Sequence, residues 1–172
     1  MDTVAAIQEL VDKQAITEVL THYCRALDRL DSDLLASVFS EDAQLDYGEA
    51  LYRGPAGPFL PFALEFQGAM QTTQHRLSNV LIALDGERAR AESYVDAYHI
   101  QQRDGQQVEL VVGARYLDNL ERGGDGVWRI VKRTEVIDWG REHILENDWL
   151  ATNPGLNRGS HDTSDPSCSL LN

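Results

Sequence analysis

Two residues of this sequence, His75 and Asp28, combine side chain and local context suited to acid–base chemistry. Histidine is the natural general base near pH 7, and it needs a partner that fixes its tautomer and stabilises its charged form. A carboxylate near the C-terminal end of a helix opposes the helix dipole, so a buried Asp28 needs a cationic or imidazole partner. The structural alternatives are a hydrogen-bonded core histidine and an aspartate that projects into water beside Arg25 and Arg29.

Tyr23 and Arg133 are candidates for binding an oxygen atom of the substrate or leaving group in such a reaction. Tyr23 faces the apolar stripe of the first helical segment, where its hydroxyl needs a hydrogen-bond partner whether it is catalytic or a core residue. An inward Arg133 would bind a carbonyl, a carboxylate or a leaving anion, whereas an outward one is an ordinary solvated charge. Strict alternation along VWRIVKRTEV places it on the face of Arg129 and Val131.

Strand alternation supplies three candidate pocket residues. Asn79 and Leu81 are expected on the same strand face as His75. Along the strand predicted for 88–103, Asp96 and His99 fall on opposite faces. Only one of these two can face a cavity unless a bulge intervenes.

Hydrophobic periodicity predicts helices in the first part of the chain. Apolar residues recur at three- and four-residue intervals over the first 30 residues, which predicts one long helix. A short helix is expected over 34–39, a brief strand over 43–48, and a third helix over 61–70 with Pro61 in its first turn.

From Thr72 the pattern changes to long strands separated by turns. Asp85-Gly86 and Asp104-Gly105 are strong hairpin signals, and GGDG at 123–126 reads as a third turn rather than a phosphate-binding loop. The result is a four-stranded antiparallel meander. Strands this long must curl, and a long helix across the concave face would then enclose an apolar space.

Length and composition limit the classes of partner. The chain has 172 residues, 28 acidic against 15 basic, and a formal net charge of −13, which argues against nucleic acid and anionic membranes. No basic signal region and no long apolar run is present, so we expect a soluble cytoplasmic protein. Neither the two cysteines nor the five histidines have ligand spacing, so we expect no metal and no organic cofactor. One domain over 1–152 and an irregular tail over 153–172 are predicted.

The ordered segments YCRALDRLD, GPAG, TTQHRLSNVLIALDGERARAESYVDAYH, GARYLDNLER and GVWRIVKR resemble the SnoaL-like group over roughly residues 5–140. That group shares the cone-shaped α+β fold of nuclear transport factor 2, scytalone dehydratase and ketosteroid isomerase, also described as cystatin-like. The resemblance implies three N-terminal helices packed on a curved, mainly antiparallel sheet. It also implies a homo-oligomer, with a trimer favoured over a dimer.

The resemblance implies a site as well. Hexachlorocyclohexane dehydrochlorinase and bile acid 7α-dehydratase use an aspartate at the end of the first helix, a histidine on the sheet and an arginine on the last strand. The matching positions here are Asp28, His75 and Arg133. Tyr23 matches a tyrosine of the bile acid enzyme, where the dehydrochlorinase has lysine. His99 matches a second histidine of scytalone dehydratase, and Asp96 matches an aspartate of the bile acid enzyme.

The function implied is a cofactor-independent lyase with a His-Asp dyad. It would carry out a dehydratase-like elimination on a small hydrophobic substrate, cyclic or similar to a steroid or polyketide. Two alternatives are an isomerase or cyclase of the same fold, and a non-catalytic ligand-binding or assembly subunit.

Overall fold

A computed structural model describes residues 2–170 and contains four helices and six strands within that range. The helices are α1 (Thr3–Arg29), α2 (Ser32–Ser37), α3 (Ala56–Gly68) and α4 (Pro166–Leu170). The strands are β1 (Phe39–Asp46), β2 (Arg53–Pro55), β3 (Thr72–Asp85), β4 (Arg88–Arg103), β5 (Gln106–Arg122) and β6 (Trp128–Ile144). The predicted α+β class is confirmed: the N-terminal helices pack on one curved sheet.

The sheet has the strand order β2-β1-β6-β5-β4-β3. Strands β3 to β6 form the predicted antiparallel meander, and β1 joins it by pairing parallel to β6 and antiparallel to β2. Strand β3 is therefore an edge strand, with one row of backbone donors not used by the sheet. This edge lies beside α1, which packs against β3 and β6.

Helix α1 contributes one row of apolar side chains to the core. Asp2 caps its start by accepting from the Val4 backbone N–H, and Leu30 ends it in the left-handed conformation with φ 51°. The buried residues Ile16, Leu20 and Leu27 repeat at helical spacing and face the sheet. The helix thus points its last turn at the edge of β3.

Helix α3 begins five residues earlier than the sequence pattern predicts. It starts at Ala56, so Pro61 lies inside the helix instead of in its first turn. The Gly-Pro pair at 57–58 resembles a helix breaker. Pro58 nevertheless fits in the first turn, because the N–H groups there have no partner within the helix.

Strand β3 contains a bulge that the alternation argument missed. Ser78 pairs with Tyr94 and Leu81 with Glu92, so β3 has one extra residue, and Asn79 adopts a left-handed φ of 49°. The bulge reverses which side chains face inward beyond it. Asn79 and Leu81 are exposed and do not continue the face of the dyad histidine, which corrects that expectation.

A second bulge lies in β6 at Val131. Ile130 pairs with Leu120 and Lys132 with Asn119, so one residue of β6 is extra. Beyond it, Arg133 lies on the buried side with Ile130 rather than on the face predicted by strict alternation.

The segment after β6 consists mainly of turns and ends in α4. It packs against the last turns of α1. Arg25 donates to Ser167 Oγ at 3.1 Å, and Arg29 Nε lies 3.4 Å from the buried Asp165. None of the helices described in residues 2–170 combines the length and apolar composition needed to cross a membrane.

Candidate active site

The structure brings Asp28, in the last turn of α1, against His75 on the edge strand β3. Asp28 Oδ1 lies 2.7 Å from His75 Nδ1, and its Oδ2 accepts the His75 backbone N–H at 2.9 Å. That N–H is available because β3 has no further strand on its outer side. Two donors of one residue therefore stabilise a carboxylate that the helix dipole disfavours.

This contact fixes the tautomer of His75. A carboxylate can only accept, so Nδ1 carries the proton and Nε2 keeps its lone pair. The His75 side chain is 3% exposed, and it lines a cavity. The pair has the arrangement of a general base held by an orienting carboxylate.

The cavity has a volume of about 150 Å³, is half open to solvent and is lined mainly by apolar and aromatic side chains. Its apolar lining consists of Leu27, Leu51, Phe62, Ala63, Phe66, Ala97, Leu110, Val112 and Ile137, and its polar lining of Tyr23, Tyr47, Gln67, His75, His99, Tyr116 and Glu135. A larger groove, about 930 Å³, lies between α1 and the C-terminal segment, but it is lined mainly by polar side chains and excludes the dyad.

Tyr23 and Tyr47 place a pair of hydroxyl groups at the cavity wall. Their oxygens are 2.7 Å apart, so one hydroxyl donates to the other and the acceptor's own proton stays available. Burial raises the pKa of both phenols well above the usual range. Both therefore remain protonated donors at neutral pH.

His99, not Asp96, faces the cavity, which settles the alternative left open by the sequence. Strand β4 pairs with β5 without interruption, so alternation holds and Asp96 lies on the outer face. The His99 ring meets the His75 ring edge-on at 5.4 Å. Burial, helped by the neighbouring His75, lowers the pKa of His99 to about 4, so its imidazole is neutral. The expectation that Asp96 lines the pocket is corrected.

Arg133 is placed behind the cavity wall and is not part of the lining. Its side chain is 0% exposed and donates Nε and Nη2 to Asp118 at 2.7 and 2.8 Å. Its guanidinium carbon lies 4.1 Å from the ring centres of Tyr23 and Tyr116. Arg133 thus supports the tyrosine wall, which corrects the expectation that it contacts substrate. The β6 bulge and the Asp118 partner explain the difference.

Glu135 and Gln67 line the cavity and were missed by the sequence argument. Burial raises the pKa of Glu135 to about 6, although Arg133 and His75 oppose the rise. Gln67 continues the buried row Phe59, Ala63, Gln67 at four-residue spacing on α3, and its Oε1 has no hydrogen-bond partner within residues 2–170. Two features of the sequence could have indicated these residues: the four-residue spacing along α3 for Gln67, and the two-residue spacing from Arg133 for Glu135.

The other reactive groups do not add a metal or thiol site. Across residues 2–170, no three His, Cys, Asp or Glu side chains converge as ligands of a metal ion. Cys24 is buried beside Tyr23, and burial raises the pKa of its thiol to about 12. That thiol is therefore a poor nucleophile near neutral pH.

Sequence comparisons identify the family. A profile of the SnoaL-like domain matches residues 8–134. Uncharacterised proteins of Mycobacterium tuberculosis H37Rv and Mycobacterium bovis are each 31% identical over 133 residues, covering 76% of this chain and 88% of theirs.

Solved structures share the fold. A scytalone dehydratase-like protein from Novosphingobium aromaticivorans is 22% identical with a TM-score of 0.71, covering 82% of this chain and 93% of its own. The LinA-type3 hexachlorocyclohexane dehydrochlorinase of Novosphingobium barchaimii LL02 is 20% identical with a TM-score of 0.65, covering 83% and 96%. The chain belongs to the SnoaL-like family and has the fold of the nuclear transport factor 2 superfamily.

Proposed function

We propose that this protein is a cofactor-independent lyase in which His75 removes a proton from carbon beside a leaving group. One observation carries the proposal. The Nδ1 proton of His75 is held by a carboxylate 2.7 Å away, while its other nitrogen is left free at the wall of a mainly apolar cavity. An imidazole in that state can accept a proton without any change of tautomer.

The His75–Asp28 dyad acts on the substrate proton, and the tyrosine pair acts on the substrate oxygen. His75 Nε2 takes the proton, the C–H electron pair forms the double bond, and the leaving group departs with its own pair. Asp28 stabilises the imidazolium as it forms. Of the two hydroxyls of Tyr23 and Tyr47, the one that accepts from the other can donate its own proton to a carbonyl oxygen of the substrate as negative charge develops there. Arg133 acts indirectly, by holding the Tyr23 ring in place.

The size of the cavity supports a substrate built on one ring. An apolar cavity of ~150 Å³ can hold benzene, and the volume here is about 150 Å³. A one-ring compound fits this space better than a steroid does. The similar folds named as a dehydratase and a dehydrochlorinase support an elimination on a hydrophobic substrate.

The test uses one-ring ketones and a base-deficient variant. The first probe is cyclohexanone in D2O, whose α-proton exchange is followed by NMR. The second is 3-acetoxycyclohexanone, whose elimination to the enone is followed by ultraviolet absorbance. Positioned acid–base catalysis contributes ~10²–10⁴-fold, so we expect His75→Ala to lose at least about 10²-fold in kcat on both probes.

Asp96→Asn is the matched control, because Asp96 lies on the outer face of β4. It should keep the wild-type rate and melting temperature. Exchange of α-protons without elimination would favour an isomerase of the same fold. Equal rates for the wild type and His75→Ala would refute the dyad mechanism and favour a ligand-binding module.

The homo-oligomer implied by the resemblance stays part of the proposal. Leu81 and Tyr94 are exposed on the outer face of β3 and β4. A contiguous apolar patch on a sheet face marks an interaction surface, and Leu81 and Tyr94 would contribute to such a patch between copies of the chain.

A further inference from the structure

Glu135 is an acidic side chain in the cavity that the mechanism above does not use. It lies on β6, two residues after Arg133, and it lines the cavity together with His75. Among residues 2–170 its carboxyl group has no hydrogen-bond or ion-pair partner. A partly buried carboxylate without a partner is costly, whereas the neutral acid is tolerated.

Glu135 is the direct cross-strand partner of Tyr116, whose ring centre lies 5.5 Å from that of Tyr23, so it lies at the hydroxyl end of the cavity. Its charge raises the pKa of a phenol on each of three different elements: Tyr23 on α1, Tyr47 on β1 and Tyr116 on β5. Two cationic or titratable neighbours favour its ionised form, Arg133 on its own strand and His75 on β3. One cavity thus contains a base and, separately, an acid next to the oxygen-binding hydroxyls.

We infer that Glu135 is the general acid of the reaction and protonates a departing hydroxyl group, which makes the substrate a one-ring β-hydroxy carbonyl compound. This inference rests on the proposed function, because it needs His75 as the base. It adds the identity of the leaving group and a catalytic residue.

The step balances as a dehydration. His75 Nε2 takes the α-proton, and the C–H electron pair becomes the new double bond. The C–O bond breaks with its electron pair on oxygen, and the Glu135 proton forms the second O–H bond, so water leaves. The imidazolium of His75 then returns a proton to the Glu135 carboxylate through the product water, which restores both groups.

The leaving group is the reason an acid is needed. Hydroxide departs poorly unless it is protonated, whereas chloride or acetate departs as a stable anion. A general acid works best when its pKa lies near the operating pH. The pKa of Glu135 is raised to about 6 by burial, which brings it into that range.

Glu135→Gln tests the inference because it keeps the shape of the side chain and removes the proton. Two probes are compared, 3-hydroxycyclohexanone and 3-acetoxycyclohexanone. The variant should lose at least about 10²-fold in kcat on the hydroxy ketone, in line with the contribution of a positioned acid, and less than about threefold on the acetoxy ketone. The wild-type rate on the hydroxy ketone should also fall as pH rises above about 6, and the variant should lack that limb.

Each other outcome has a defined meaning. An equal loss on both probes, or no loss on either, overturns the assignment of Glu135 as the acid. Elimination of the acetoxy probe alone by the wild type overturns it as well. Loss of α-proton exchange in His75→Ala tests the base separately, so a failure of the proposed function is distinguishable.

A direct titration decides the matter if the wild type turns over neither probe. The Glu135 carboxyl is followed by carbon-detected NMR in the intact protein and is assigned by its absence from Glu135→Gln. A midpoint near 6 supports the inference. A midpoint near the ordinary glutamate value of about 4.3 would overturn it.

Discussion

Two buried aspartates that lie beside nitrogen bases, Asp118 and Asp28, form pairs that behave differently. Asp118 and Arg133 are direct cross-strand partners on β5 and β6, and both side chains are 0% exposed. Asp28 and His75 are 47 residues apart in the chain and meet where α1 ends at the edge strand β3. The first pair is sealed by its neighbours, and the second borders the cavity.

The difference lies in what each base keeps free. Arg133 is always charged and donates two nitrogens to one carboxylate, so it cannot accept a proton and serves to support the structure around it. His75 commits one ring nitrogen and retains a lone pair on the other. A buried acid–base pair is therefore catalytic only where the base can gain a proton and a substrate can reach it.

Breaking the pair of Asp28 and His75, which borders the cavity, should remove activity and leave the fold intact. Asp28→Asn is expected to lower kcat by about 10²–10⁴-fold, the range for positioned acid–base catalysis. Asp28 accepts both the backbone N–H and Nδ1–H of His75, but an amide offers only one acceptor oxygen. If that oxygen keeps the backbone, the NH2 group faces Nδ1 and moves the ring proton to Nε2. Steady-state kinetics and the melting temperature check this, and a collapse of the melting temperature would contradict it.

Breaking the sealed pair of Asp118 and Arg133 should lower the stability of the fold. Arg133→Met leaves Asp118 buried and uncompensated, which is expected to lower the free energy of unfolding by about 3–5 kcal/mol. The double variant Arg133→Met/Asp118→Leu should recover most of that loss, because both charges are gone. Urea unfolding of the two variants measures the difference. A single variant as stable as the wild type would show that the pair is not structural.

His99 sharpens the comparison, because it is a buried base without a carboxylate partner. Its folded-state pKa is about 4, below the ordinary histidine value of 6.5, so the folded state binds fewer protons than the unfolded state between these pH values. Stability is therefore present above pH 6.5 and lost as pH falls toward 4, by up to about 3.5 kcal/mol at ~1.4 kcal/mol per pH unit. His99→Phe should flatten this part of the curve of unfolding free energy against pH. An unchanged acid slope in the variant would contradict the assignment.

Much of the fold was readable from the sequence because it rests on local periodicity. The helical stripe before residue 30 and the Asp-Gly turns at 85–86 and 104–105 predicted α1 and the β3–β6 meander, and these are confirmed. The resemblance named His75 and Asp28 together, and the structure brings them into contact, while their catalytic role stays a proposal.

Which side chains share the cavity was decided by the tertiary structure. Bulges at Asn79 and Val131 each insert one residue. Because side chains alternate between the two faces along a strand, one extra residue moves every side chain beyond it to the other face. The first bulge keeps Asn79 out of the cavity. The second turns Arg133 inward, where Asp118 holds it, and brings Glu135 to the lining. The sequence determines the period of each strand, but a bulge depends on the pairing of two strands, which only the folded sheet defines.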